Sequence, residues 1–117
     1  MWSLNTDHHS PGAFSQYAKN HHREYVSCFA NLEKVMALLR AGHKIGGFQI
    51  GFFRSEGEGV YRIGQTGVAG AKETRLYVYP DATSETVYLL EIGSKDTQQK
   101  DIAKAKGSVR KIKKEEE

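Results

Sequence analysis

The first third of the chain carries apolar side chains at the spacing of an α-helix. Between residues 25 and 39 they recur at intervals of four, three, four and three: Tyr25, Phe29, Leu32, Met36 and Leu39. These intervals place the side chains on one face of a helix. A shorter series starts at Phe14, just after Ser10 and Pro11, a pair that is typical of a helix start. The pattern predicts two helices whose apolar faces pack into a core.

The second half of the chain changes to the alternating pattern of strands. Three runs rich in Val, Ile, Tyr and Leu, at residues 59–64, 74–79 and 86–93, are each bounded by Gly, Pro, Asp or Ser. They predict three successive antiparallel strands. Alternation in the second run puts Arg75, Tyr77 and Tyr79 on one face. A fourth strand is indicated by alternating Phe residues at 48–52, and a weak signal for an edge strand lies at residues 2–6.

A basic segment follows the last predicted strand. Asp96 and Gln99 have the spacing of a capping box, which marks a helix start. A thin apolar line then runs through a helix otherwise covered by lysine: Ile102, Ala105, Val109 and Ile112. Gly107 disfavours continuation of this helix beyond Lys106, so the sequence predicts a short basic helix.

These elements predict an α+β fold and one domain over residues 1–117. Two N-terminal helices pack on a three- to four-stranded antiparallel sheet, and the short basic helix ends the chain. Residues 1–9 and 113–117 are expected to be loosely ordered. A chain of 117 residues, 38% hydrophobic and 26% charged, is large enough for one core but not for two.

Composition also bears on where the protein works. No run approaches the roughly 18 apolar residues of a membrane span, and the N-terminus lacks the basic start and apolar core of a signal peptide. Cys28 is the only cysteine, so no internal disulfide is possible. We therefore predict a cytoplasmic protein that does not bind a membrane.

Positive charge is concentrated near the C-terminus. Residues 95–114 carry eight basic side chains against two acidic ones, a net charge of +6: Lys95, Lys100, Lys104, Lys106, Arg110, Lys111, Lys113 and Lys114 against Asp96 and Asp101. Such an excess favours an acidic partner, either a nucleic acid or an acidic protein segment. A solvated helix face with no partner is the alternative.

The candidate chemistry is that of a polyanion site. No cofactor or metal motif is present, and adjacent histidines point apart on a helix or strand, so we predict neither a metal nor a cofactor. No histidine follows His43, so acid–base chemistry on the sheet must use Lys, Arg, Tyr, Glu or Asp. Arg62 and Arg75 lie on neighbouring predicted strands with tyrosines beside them, and Lys95 follows the third strand. This arrangement suits a polyanion that also offers flat bases for stacking.

Several of these runs, in this order, resemble the RelE/ParE superfamily of toxins from type II toxin–antitoxin systems, in particular its RelE/HigB-like branch. The resemblance runs from about Phe14 to Ile112, most of the chain, and rests on these runs: Asn31-Leu-Glu-Lys-Val, Leu39-Arg-Ala-Gly, Gly59-Val-Tyr-Arg-Ile, Arg75-Leu-Tyr-Val-Tyr, Val87-Tyr-Leu-Leu and the segment from Lys95 to Ala105. The resemblance implies two helices on a small sheet with a concave face. It also implies an mRNA interferase, a hydrolase that cuts messenger RNA on the ribosome and stops translation. A cognate antitoxin would cover the basic face.

The resemblance also implies roles for individual residues. Arg62 and Arg75 match strand arginines that hold phosphate, Tyr77 or Tyr79 matches an aromatic at the active face, and Lys95 matches a basic residue that closes the third strand. The reaction would be a metal-free attack of the RNA 2′-hydroxyl on the adjacent phosphorus. Basic residues of the last helix would contact RNA: Lys100, Lys104, Lys106, Arg110 and Lys111.

Three alternatives remain open from the sequence. The chain could be a non-catalytic inhibitor of DNA gyrase, as in the ParE branch. It could also bind RNA or an antitoxin without cutting. The lysine pair and the C-terminal tyrosine of some active members have no match here. Arg62 and Arg75 could instead form surface ion pairs with Glu73 or Glu91.

Overall fold

The computed structural model describes residues 1–69 and 72–116, and within them the chain forms three helices and five strands. The helices are α1 (Pro11–Asn20), α2 (His22–Arg40) and α3 (Gln98–Glu115). The strands are β1 (Ser3–Asn5), β2 (Phe53–Gly57), β3 (Val60–Gly64), β4 (Thr74–Asp81) and β5 (Thr86–Ser94). Short 3₁₀ turns lie at Ile45–Gly47 and Lys95–Thr97. No helix in the described part of the chain is long and apolar enough to cross a membrane.

One five-stranded mixed sheet joins all the strands in the order β1-β5-β4-β3-β2. The α+β class is confirmed, but the sheet is larger than predicted and not purely antiparallel, because β1 pairs in parallel with β5. Ser3–Asn5 lies within the weak edge-strand signal at residues 2–6, in a segment that was also expected to be loosely ordered. Three residues are too few to show an alternating pattern, and their pairing partner is more than 80 residues away along the chain. β2 begins at Phe53, just after the predicted 48–52 run.

Helices α1 and α2 pack on one face of the sheet, as predicted. Leu32, Met36 and Leu39 are buried against the β4 and β5 side chains of that face, such as Leu76 and Ile92. The first two members of the predicted stripe, Tyr25 and Phe29, are partly buried and pack against each other with ring centroids 4.6 Å apart. The apolar stripe therefore forms the main core.

Helix α3 covers the opposite face of the sheet and is much longer than predicted. Its apolar line, including Val109 and Ile112, packs on Tyr77 and Leu90. Gly107 does not end the helix. Glycine in a helix interior costs about 1 kcal/mol, which is less than the burial of the two apolar side chains beyond it contributes, about 1.5–3 kcal/mol each. Residues 113–115 are thus helical, and residue 117 lies outside the described residues.

The start of α3 is fixed to the end of β5 by close packing. The capping box forms between Ser94 and Thr97, and not between Asp96 and Gln99 as predicted. The Thr97 hydroxyl also donates to Asp101 at 2.6 Å. A Cβ on Gly93 would clash with the carboxylate of Asp101, so a larger residue here would displace the Asp101 side chain. The helix therefore leaves the sheet at a defined point and runs back across it.

Candidate functional site

Tyr77 and Tyr79 share a face of β4 with Arg75, as alternation predicted, but α3 buries both rings. Tyr77 is 0% exposed and Tyr79 7%. Burial raises the pKa of Tyr77 to about 12. Its phenol oxygen is buried and has no hydrogen-bond partner among the described residues. The face implied by the resemblance is therefore covered here, and with α3 in place neither tyrosine can stack on a base.

An open cleft of about 240 Å³ lies beside β2, the end of β3 and the start of β4. It is lined by nine residues: Gly51, Phe52, Arg54, Arg62, Gly64, Gln65, Glu73, Thr74 and Arg75. We call it the arginine cleft. Arg54 of β2 lies opposite Arg62 of β3, and Arg75 of β4 lies opposite Gly64. Arginine residues from three adjacent strands thus line one cavity.

Gly64 leaves room in this cleft. It pairs with Arg75 across the ladder, so a side chain here would share the face of that arginine. A Cβ placed on it would meet no atom within 4 Å. The carbonyl of Gly64 accepts a hydrogen bond from the Asn31 side chain of α2 at 2.7 Å, which fixes the backbone beneath the cleft.

Two of the arginines have carboxylate partners in the described structure. Arg75 Nη2 lies 2.8 Å from Oε1 of Glu73, and its Nη1 donates to Gln98 of α3. Arg62 Nε lies 3.4 Å from Glu56. The ion pair between Arg75 and Glu73 is one that the sequence left open. Within residues 1–69 and 72–116, Arg54 has no carboxylate within the 4 Å of an ion pair.

Lys95 reaches the same end of the sheet from the turn after β5. Its backbone N–H donates to the Glu73 carbonyl at 3.1 Å, and its side chain is exposed. The hydrogen bond from Arg75 holds the pKa of Glu73 below its ordinary value, and the charges of Lys95 and Arg62 act in the same direction. Arg62 and Arg75 therefore line the same cleft and Lys95 lies near Glu73 at its edge, whereas Tyr77 and Tyr79 lie beneath α3.

The basic residues proposed for RNA binding lie along α3 in two groups. Lys104 pairs with Glu91 at 3.2 Å, while Lys106 and Arg110 both contact Glu58 in the β2–β3 turn, at 3.7 and 2.9 Å. These three help to hold α3 on the sheet. Lys100 and Lys111 are exposed, and in the described part of the chain neither has a carboxylate within ion-pair distance.

The sequence analysis did not assign Phe52, Arg54, Gln65 or Glu73 to the site, although it named Glu73 as a possible ion-pair partner of the arginines. Arg54 could have been found had β2 been placed correctly, since it lies directly opposite Arg62. Gln65 accepts the Thr74 N–H at 2.9 Å across the β3–β4 connection, a contact that no local pattern encodes.

No group of three or more His, Cys, Asp or Glu side chains in the described part of the chain is placed to hold a metal ion. The site thus consists of arginines, one lysine, one carboxylate and amide groups. No protein-family model, no curated protein and no solved structure matches this chain.

Proposed function

We propose that the protein is a RelE-like toxin that cuts messenger RNA on the ribosome at the arginine cleft. The observation that supports this function best is the convergence of Arg54, Arg62 and Arg75 on one cavity. Guanidinium groups bind phosphate through paired N–H donors. A cavity of about 240 Å³ is smaller than a typical drug-sized pocket but takes a phosphodiester group. The two helices packed on one sheet face agree with the fold that the resemblance implies.

In this proposal the arginines act on the charge of the transition state. Attack of the 2′-hydroxyl on phosphorus increases negative charge on the nonbridging oxygens, and preorganised donors stabilise that charge. Arg75 is preorganised, because Gln98 holds its Nη1 while its Nη2 contacts Glu73, another residue of the cleft lining. Phe52 is the aromatic residue of the cleft lining, but its ring packs against the main core, with Lys34 Nζ 6.0 Å from its centroid.

The partners follow from the same charge distribution. The exposed lysines of α3, Lys100 and Lys111 among them, extend the positive surface beyond the cleft and suit the phosphates of mRNA or ribosomal RNA. A cognate antitoxin would bind the same basic face with an acidic segment. We place the protein in the cytoplasm, where mRNA is translated.

Induced expression followed by mapping of transcript ends tests this function. The unmutated protein should arrest growth and produce new 5′ ends within coding regions. Arg62→Ala and Arg75→Ala should each slow cleavage by about 10²–10³-fold, the scale for loss of one preorganised donor. Arg75→Lys should recover little, because an ammonium group lacks the planar fork.

Two results would change the proposal. Growth arrest with intact transcripts and broken DNA would indicate a ParE-like gyrase inhibitor. A folded Arg75→Ala protein that cuts as well as the unmutated one would move the site away from the arginine cleft. Circular dichroism of each variant separates loss of the site from loss of the fold.

A further inference from the structure

The proposed cleavage needs a group that takes the proton from the 2′-hydroxyl. Among the nine residues that line the arginine cleft, three are arginines, which stay protonated. The others, apart from Glu73, carry glycine, phenyl, amide or hydroxyl groups, which are not bases near neutral pH. Lys95 is exposed and lies outside the lining. Glu73 is thus the one lining side chain that can accept a proton.

The contacts of Arg75 allow a phosphate group to replace Glu73 as the partner of its guanidinium. Arg75 is held through Nη1 by Gln98 and touches Glu73 through Nη2 at 2.8 Å. Its side chain is 11% exposed, whereas that of Glu73 is 55% exposed. A phosphate oxygen can therefore take the place of the carboxylate at Nη2 while Gln98 keeps the guanidinium in position. The released carboxylate would remain next to the bound phosphate.

We infer that Glu73 is the general base of the cleavage, an inference that rests on the function proposed above. Its carboxylate accepts the proton of the 2′-hydroxyl as the 2′-oxygen forms a bond to phosphorus. The bond from phosphorus to the 5′-oxygen breaks, and the departing oxygen takes a proton from water. The hydroxide left behind takes the proton from Glu73, which restores the carboxylate and the water. The products are a 2′,3′-cyclic phosphate and a 5′-hydroxyl end, and the step needs no oxidant or reductant.

The charges around Glu73 predict how cleavage by this general base should depend on pH. In the free protein, Arg75 lowers the pKa of Glu73, with Lys95 after β5 and Arg62 of β3 acting in the same direction; Arg54 also lines the cleft, from β2. Bound phosphate removes the contact with Arg75 and adds a like charge, so the pKa of Glu73 rises. The pH profile of kcat/KM reports the pKa in the free protein, and that of kcat reports the pKa in the complex. The decrease in kcat at acidic pH should therefore occur at a higher pH than the decrease in kcat/KM.

Glu73→Gln tests the inference on purified ribosomes programmed with a defined mRNA. Cleavage should fall by about 10²–10⁴-fold, the range for a general base. Binding to a message with a 2′-deoxy nucleotide at the cut site should be as tight as for the unmutated protein or tighter, because Arg75 Nη2 is then free. Glu73→Asp should cut at a rate between those of Glu73→Gln and the unmutated protein, and its cleavage should still decrease at acidic pH. Glu56→Gln, which removes the carboxylate beside Arg62, should also keep this decrease.

The outcomes separate this inference from the function beneath it. If Glu73→Gln cuts as fast as the unmutated protein, or faster, Glu73 only occupies Arg75 and the inference fails while the proposed function stands. If the cleavage rate of Glu73→Asp does not decrease at acidic pH, the general base lies elsewhere and the inference also fails. If the unmutated protein leaves the message whole, the proposed function fails and this role fails with it.

Discussion

Removal of the Tyr77 hydroxyl distinguishes a core tyrosine from a catalytic one. The side chain is fully buried under α3, and its phenol oxygen has no partner among the described residues. A buried polar group without a hydrogen bond costs about 1–3 kcal/mol. Tyr77→Phe removes that cost and keeps the ring. We therefore expect the free energy of unfolding to increase by about 1–2 kcal/mol, with no loss of cleavage.

Urea unfolding followed by circular dichroism measures this change. Tyr79→Phe is the matched control: the ring stacks on Tyr88 with centroids 5.7 Å apart, and its hydroxyl is not among the buried groups without a partner. We expect this control to alter stability by less than about 0.5 kcal/mol. If Tyr77→Phe destabilises the protein by more than about 1 kcal/mol, the hydroxyl has a partner and the burial argument is wrong. If the variant is stable but does not cut, Tyr77 has the catalytic role that the resemblance implies.

Three further predictions follow from the core and the surface. Leu32→Ala should lower the free energy of unfolding by about 2–5 kcal/mol, while Val26→Ala on the exposed side of α2 should change it by less than about 0.5 kcal/mol in the same urea titration. Because the pKa of Tyr77 is about 12 in the fold, the unfolded chain loses this proton first as pH rises above about 10. Stability should then fall by about 1.4 kcal/mol per pH unit up to pH 12, a component absent from Tyr77→Phe. Lys100→Ala and Lys111→Ala should each reduce the slope of log affinity for ribosomes against log salt by about one; unchanged slopes would favour a solvated helix face.

Local sequence patterns predicted the helices and strands better than they predicted which face of the sheet another element covers. Alternation correctly placed Arg75 and Tyr77 on one face, and order along the chain brought Lys95 to the end of the sheet. Neither pattern shows whether another element covers that face. The apolar line of α3 was visible, but its packing on Tyr77 depends on tertiary contacts that offset the cost of Gly107.

Strand position limited the prediction of the site. The Phe-rich alternation suggested a strand a few residues before β2, so Arg54 was not aligned with Arg62. Glu73 precedes β4 in the connection whose residues 70 and 71 lie outside the described residues. Its contact with Arg75 depends on the conformation of that connection, which composition alone does not define.

The most direct test fills the arginine cleft without removing a charge. At Gly64 an added Cβ meets no atom within 4 Å, and valine suits a strand, so Gly64→Val should fold normally while its side chain occupies the cleft. Gly12→Val in α1 is the control, since it also has open space and does not line the cleft. On programmed ribosomes, Gly64→Val should lose cleavage by about 10²-fold or more, because a displaced phosphate loses its preorganised donors, and Gly12→Val should cut normally. A folded Gly64→Val protein that cuts at the unmutated rate would contradict the assignment of the reaction to this cleft.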